Sequence, residues 1–384
     1  MIQNSGSKNI LLIYYKLFKP GGVARVLVSL ANELIEQGYN ISIMILTSDR
    51  SSFYQLDPRV TVIYIDTFSH WGFRKINVGI DKYFRKLPAR QNIKNYIYDF
   101  GQWDMLSKWL KQNHQNYDSI ISCWYKLSAQ LALNKKVNYK TIAWEHTSFH
   151  VGGLLWNKLL RKYYRNLKNI VSINSPGEKY YKSISPNVCH IPNMMSEDIE
   201  NITETDYNQK ENVILIPSRL DSDKNLTEFL DIVSLIDFKD DWKVKIFGNG
   251  MQEKILKDKI TKDGLKNVYL NNALSPTEIL GELRKSKIIC MTSLKEGLPT
   301  ILIEGLFTSN ALISYNCNYG PSDIVNKENG YLIPMHDKKM FAEKLQYLID
   351  NPHVLEELNK SSYKESAKWR KEKIIQQWKN LIDN

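Results

Sequence analysis

The feature that most restricts the fold is an alternation of short apolar runs with helical patterns, carried through twice along 384 residues. "NILLIYY" (9–15) is a continuous apolar run, as in a strand covered on both faces. A Gly-Gly pair follows. A helical pattern then runs from about Val23 to Gln37 and stops at Gly38, a residue suited to the left-handed turn that closes helices. "ISIMILT" (41–47), "VTVIYI" (60–65), "SIISCW" (119–124), "KTIAWEH" (140–146), "NIVSIN" (169–174) and "VCHIPN" (188–193) read as further strands, and residues 70–115 as inserted helices. "MSEDIENITETDYNQKEN" (195–212) lacks apolar periodicity and reads as a linker. A second series follows: "VILIPSR" (213–219), "WKVKIFG" (242–248), "NVYLN" (267–271), "KIICMTS" (287–293), "ALISYN" (311–316) and "GYLIP" (330–334). Its first helix, "NLTEFLDIVSLI" (225–236), places Asn225 and Glu228 at capping-box spacing.

Alternation of this kind builds parallel sheets joined by crossover helices. The expectation is an α/β chain of two Rossmann-like domains facing across a cleft. They span residues 1–195 and 211–353, and a closing helical stretch over 354–384 crosses back to the first domain. Ligands of such sheets sit at the carboxyl ends of the strands.

Composition narrows the function classes. No run reaches the roughly 18 apolar residues of a membrane span, and no apolar leader follows the polar first residues, so a cytoplasmic protein is expected. Cys123, Cys189, Cys290 and Cys317 form no CxxC pair and read as reduced, mostly buried thiols. The net charge of +11 is lopsided: residues 1–200 hold 26 basic and 14 acidic side chains, the remainder 26 and 27. The excess concentrates in residues 72–94 and 156–168, where basic residues interleave with aromatics. Such segments read either as a solvated face or as a surface for an anionic partner. A membrane is the preferred partner and nucleic acid the rejected one.

The most telling stretch is "SLKEGLPTILIEGLFTS" (293–309). It puts Glu296 in a loop after a strand, Pro299 and Thr300 at a helix start, and Glu304 inside an otherwise apolar helix. A helix start offers free N–H groups and a favourable dipole to an anion such as a diphosphate. A carboxylate accepts two hydrogen bonds from a vicinal diol, so Glu296 and Glu304 suit one sugar and one ribose.

These residues resemble the Glu–seven residues–Glu motif of the retaining GT-B glycosyltransferases of family 4, the group 1 enzymes that build capsule, lipopolysaccharide and related surface glycans. "GGVARVLVSLANEL" (21–34), "IPSRLDSDKN" (216–225), "FGNG" (247–250) and "YGPSDIVNKENGYLI" (319–333) extend the resemblance, most specifically in the second half. It implies a nucleotide-sugar donor, in the first place a UDP-sugar, and a glycan or lipid-linked glycan acceptor. It also implies that Arg219 and Lys224 neutralise the donor diphosphate, and that Glu296, with Gly297 and Leu298, holds the transferred sugar. Glu304 would then hold the ribose, while Gly22 admits close backbone approach and His146 stands by the anomeric centre or acceptor. "DSD" (221–223) spells a metal signature of another transferase fold, but Arg219 and Lys224 bracket it, and neither metal nor other cofactor is expected. A double displacement needs a carboxylate nucleophile. By resemblance no such acid is evident, Glu145 being the first domain's one carboxylate beside a motif, so the resemblance implies front-side attack with retention; the basic stretches 72–94 and 156–168 place the reaction at the cytoplasmic face of the membrane. Two rivals stand: a nucleotide-sugar 2-epimerase of the same architecture, and a non-catalytic basic protein binding membrane or nucleic acid.

Overall fold

A computed structural model describes residues 7–19, 21–47, 50–69, 71–83, 90–239 and 241–384. The chain divides into two compact units. The first comprises residues 1–173, 177–191 and 375–384; the second comprises 174–176 and 192–374.

The first unit carries β1 (Asn9–Tyr14), β2 (Asn40–Ile45), β3 (Thr61–Tyr64), β4 (Ser119–Ser122), β5 (Thr141–Glu145), β6 (Asn169–Ser172) and β7 (Val188–His190). They form one parallel sheet in the order β3-β2-β1-β4-β5-β6-β7. Ile10, Leu11, Leu12 and Ile13 of β1 are completely buried, which is why the run carries no polar alternation. The Gly22–Glu36 helix ends as its sequence predicts. Gly38 turns left-handed at φ 88°, its N–H donates to the Ile35 carbonyl, and that of Tyr39 donates to Leu34.

Residues 70–115 do form helices, Trp71–Tyr83 and Arg90–Asn113. The second is more than an insertion. It lies on the connection from β3 to β4, where the strand order reverses, and its Leu106 and Leu110 pack beside Leu11, Ile13 and Ile120. Of the basic stretch 72–94, residues 84–89, including Arg85 and Lys86, lie outside the described residues.

The other basic stretch needs a larger correction. Residues Leu154–Leu160 and Arg161–Asn166 form irregular helical turns, with Trp156, Arg161 and Tyr164 buried. Only part of 156–168 is surface, with Lys158, Leu159, Lys162, Tyr163 and Arg165 exposed. The chain end returns to this unit: Trp378 meets Trp144 edge-on at 5.0 Å, and Tyr39 donates to Asp383 at 2.8 Å.

The second unit carries β8 (Glu211–Pro217), β9 (Lys243–Phe247), β10 (Val268–Asn271), β11 (Ser286–Met291), β12 (Ala311–Tyr315) and β13 (Gly330–Ile333). Again all pairs are parallel, in the order β10-β9-β8-β11-β12-β13. Ile214, Ile246, Ile288 and Ile313 are fully buried in one core, each worth about 1.5–3 kcal/mol by transfer from water.

Three expectations fail here for local reasons. The supposed linker is structured: Ile199, Ile202 and Tyr207 are buried, but one pair at helical spacing and a lone tyrosine are too few to show a period. The closing stretch is two helices, Pro352–Ser366 and Lys371–Asp383, because the buried Trp369 and the half-buried Arg370 occupy the break. There Arg370 donates to the Glu200 carbonyl at 2.5 Å, and the Glu200 carboxylate accepts from the Lys371 N–H at 2.9 Å, capping the last helix. Asn225 and Glu228 form no capping box. Asn225 is left-handed at φ 54° and donates from its side chain to Glu228 at 2.7 Å.

Candidate active site

In the second sheet the strand order reverses between β8 and β11, so no crossover covers the space beyond their carboxyl ends. A cavity of about 240 Å³ opens there, lined among others by Ser218, Arg219, Lys224, Glu296, Leu298 and Thr300. Most of the predicted donor-binding residues therefore converge, although they come from two loops seventy residues apart.

The first loop is held by glycine. Ser218 N–H donates to Phe247 and Leu220 N–H to Asn249, while Gln252 N–H returns to Leu220. This pairing brings the backbones so close that a Cβ on Gly248 would lie 1.8 Å from the Ser218 carbonyl oxygen. On Gly250 it would lie 2.5 Å from that of Leu220. "FGNG" is thus a backbone mould for Arg219. The Arg219 guanidinium reaches Asp221, and Asp223 at 3.5 Å, so both acids of the Asp-x-Asp decoy serve it as counter-charges. Lys224 closes a single helical turn, Ser222–Lys224, which is stitched to the end of β11. Leu294 N–H donates to the Asp223 carbonyl at 2.8 Å, and Thr292 Oγ1 to that of Lys224 at 3.2 Å.

The second loop carries Glu296. Lys224 Nζ lies 2.7 Å from Glu296 Oε1, and the two side chains are 17% and 14% exposed. An ammonium has three donors, so Lys224 can hold this carboxylate and still meet a phosphate oxygen. The Gly297-Leu298-Pro299 turn is packed by the segment after β12. A Cβ on Gly320, at φ 96°, would meet Pro299 Cδ at 2.6 Å and the Gly297 carbonyl oxygen at 3.0 Å. Sequence reading missed this support, whose signal was the Tyr-Gly-Pro just beyond a strand. Pro299 is the residue before the helix, not its first: the helix is Thr300–Phe307, with no side-chain cap. Gly305 seats it on the sheet, where a Cβ would stand 2.5 Å from Ile289 Cδ1. Glu304 is half-buried one turn further in and does not line the cavity. Beside the pair, Cys317 is buried, and that burial, followed by the Glu296 charge, pushes its thiol up to about 12.

The first unit distributes its predicted residues differently. Gly22 opens the first helix, and a Cβ there would meet nothing within 4 Å. "WEH" splits three ways. Trp144 is core. Glu145 is 2% exposed and accepts from Tyr164 at 2.9 Å and Tyr181 at 2.8 Å, with Arg161 at 3.9 Å. Burial, then the Glu145 charge, pushes both phenols well up. His146, half-buried at the end of β5, stacks obliquely on Trp144 at 4.3 Å. Its Nε2 is shut from water with no hydrogen-bond partner, and burial pushes the imidazole down to about 3.

Two family models divide the chain between them. Residues 197–368 match "Glycosyl transferases group 1", and residues 20–195 match "Glycosyltransferase Family 4". The chain belongs to the group 1 glycosyltransferases. This group 1 enzyme is 26% identical over 374 residues to the Campylobacter jejuni GalNAc-alpha-(1->4)-GalNAc-alpha-(1->3)-diNAcBac-PP-undecaprenol alpha-1,4-N-acetyl-D-galactosaminyltransferase, covering 94% of this chain and 95% of that one. Its fold is that of the lipopolysaccharide outer core galactosyltransferase WaaB (TM-score 0.74, 15% identity, 97% and 99% covered). It is equally that of Anabaena HepE in complex with UDP (TM-score 0.73, 13% identity, 98% and 99% covered). The GT-B architecture expected from the motifs is therefore the observed one.

Proposed function

We propose that this glycosyltransferase moves a sugar from a nucleotide-sugar donor, a UDP-sugar in the first place, to a glycan or lipid-linked glycan in surface-glycan synthesis, with retention and without a metal. The observation that carries the reading is the meeting of Arg219, Lys224 and Glu296 at the reversal point of the second sheet, next to a helix start. As the bond to the leaving diphosphate breaks, charge grows on its oxygens. Arg219 and Lys224 stabilise that charge, and each such contact is worth roughly 2–4 kcal/mol at a leaving group. Glu296 and the backbone at Gly297 and Leu298 hold the sugar, Pro299 and Thr300 form the edge of the diphosphate site, and Glu304 takes the ribose. In the first unit, Gly22 leaves room for the donor, and the orphaned Nε2 of His146 meets a hydroxyl of the donor sugar or acceptor.

Retention by front-side attack draws support from Glu145. Two tyrosine hydroxyls and Arg161 already enclose this carboxylate inside the first unit, which is no place for a nucleophile. The ion pairing of Asp221 and Asp223 with Arg219 supports independence from metal. For the acceptor, the Campylobacter relative named above acts on an undecaprenol-linked glycan. Among the described residues no helix is long and apolar enough to cross a membrane. Contact with lipid then falls to the exposed Lys158, Lys162 and Arg165 beside Leu159 and Tyr163, at roughly 1 kcal/mol per cation near an anionic surface.

The decisive experiment is a screen of sugar nucleotides for hydrolysis and for transfer to a lipid-linked acceptor, with the anomeric configuration of the product read by NMR and EDTA in a parallel arm. Release of one nucleoside diphosphate, an α-linked product from an α-donor and indifference to EDTA are expected. Isomerised sugar nucleotide without release would establish the epimerase instead. Binding of anionic vesicles with no turnover on any donor would leave only the non-catalytic reading.

A further inference from the structure

The turn that presents Lys224 ends in a strained residue. Among the described non-glycine residues four have positive φ: Asn225, Ser309, Tyr319 and His336. Two of them, Asn225 at 54° and His336 at 65°, meet on a single carboxylate, that of Glu228. Glu228 Oε2 accepts from Asn225 Nδ2 at 2.7 Å and lies 2.9 Å from His336 Nδ1, and its Oε1 accepts from Tyr315 Oη at 2.8 Å. Tyr315 is completely buried at the end of β12, so it offers a rigid post. The Glu228 side chain is only 16% exposed. Its burial is outweighed by the bonds from Asn225, His336 and Tyr315, which hold the carboxyl below its usual range. Left-handed backbone is unfavourable for a non-glycine residue, and asparagine is tolerated there when its side chain is hydrogen-bonded locally.

We infer that Glu228 is a positioning residue of the donor site: anchored by Tyr315 and His336, it holds Asn225 left-handed and so aims Lys224 at the donor diphosphate. The inference rests on the diphosphate role proposed for Lys224. Left-handed Asn225 reverses the chain one residue after Lys224, and that reversal brings Nζ to Glu296. A second anchor exists, because Thr292 Oγ1 donates to the carbonyls of Lys224 and Asn225 at 3.2 and 3.4 Å. It holds the turn's carbonyls without setting φ at Asn225. Glu228 itself does not line the donor cavity, so its effect on a ligand there must pass through the turn.

The test uses whichever of UDP, GDP and ADP the full chain binds most tightly, together with the matching monophosphate, titrated calorimetrically. The readout is the preference for diphosphate over monophosphate, which a general loss of stability does not move. Glu228→Ala should lower this preference about tenfold, Glu228→Gln, which keeps an oxygen for Asn225, by less than threefold, and Asn225→Ala as much as Glu228→Ala. In a Lys224→Ala background, Glu228→Ala should change nothing further. A Glu228→Ala chain with lowered melting temperature but wild-type preference overturns the inference, as does full additivity with Lys224→Ala. If Lys224→Ala alone leaves the preference intact, it is the diphosphate assignment of Lys224 that falls, and the inference with it.

Discussion

The two units share one construction, a parallel sheet whose order reverses once, yet they treat their charged motif residues in opposite ways. The second unit brings Arg219, Lys224 and Glu296 to the rim of a cavity, each on a loop seated by glycine against neighbouring backbone. The first turns Glu145 inward, under Tyr164 and Tyr181, and leaves His146 half-buried at the strand end. A motif at the carboxyl end of a strand therefore does not by itself mark chemistry. One residue along the strand reverses the side chain, and the same tripeptide supplies a core tryptophan, a structural carboxylate and a candidate ligand contact.

The contrast can be broken by substitution. The largest effect is expected in the second unit: Arg219→Ala combined with Lys224→Ala should reduce donor turnover by more than a hundredfold, following the roughly 2–4 kcal/mol carried by each contact. Its melting temperature should stay near wild type. Wild-type turnover in that double variant would remove the functional side of the comparison altogether. Gly248→Ala comes next. The added methyl must displace the Ser218 carbonyl, a clash costing about 1–3 kcal/mol, so urea should unfold the second unit earlier and donor affinity should drop with it. Unchanged affinity would show that Arg219 does not depend on that mould.

Smaller effects belong to the first unit. Tyr164→Phe removes one donor from buried Glu145, and an under-satisfied buried group costs about 1–3 kcal/mol. Chemical denaturation should register this loss while turnover per folded molecule holds. A fall in turnover without a fall in stability would make Glu145 a working residue and erase the contrast. Near neutral pH the smallest effect is that of His146, which shows only in acid. Its imidazole titrates near 6.5 when unfolded and is pushed down to about 3 by burial in the native chain. Between those values the unfolded chain binds the extra proton, so this residue's share of stability is lost as pH falls from about 6.5 toward 3. The melting temperature of His146→Gln should decline less over that window than that of the wild type. Parallel curves would mean that the ring is open to water.

Much of this was readable beforehand wherever the information was local. The apolar runs announced both sheets because a strand covered on two faces leaves no room for polar alternation. Gly38 announced its helix end because only a left-handed residue fits there. Where a side chain's role depended on a distant partner, reading failed. Asn225 and Glu228 have the spacing of a cap, but Tyr315 and His336 recruit the glutamate, and Asn225 becomes a left-handed hinge. Residues 156–168 read as a basic surface, yet Arg161 and Tyr164 were claimed by Glu145. Residues 195–212 read as linker because Ile199, Ile202 and Tyr207 are buried singly, by contacts from elsewhere in the chain.

The sequence by itself determined two parallel α/β sheets and the loop motifs that resemble those of the GT-B glycosyltransferases, since strand burial, helix closure and loop motifs depend on neighbours a few residues away. Only the tertiary structure decided that Lys224 meets Glu296, that Asp221 and Asp223 serve Arg219, and that Glu145 is buried while His146 keeps an orphaned nitrogen. The first two are ion pairs, and the third follows from how the core of the first unit closes over the end of β5. Lys224 and Glu296 stand 72 residues apart and meet only where the strand order reverses between β8 and β11, whereas Arg219 is close in sequence to both its acids and needs the fold of the turn to aim it at them.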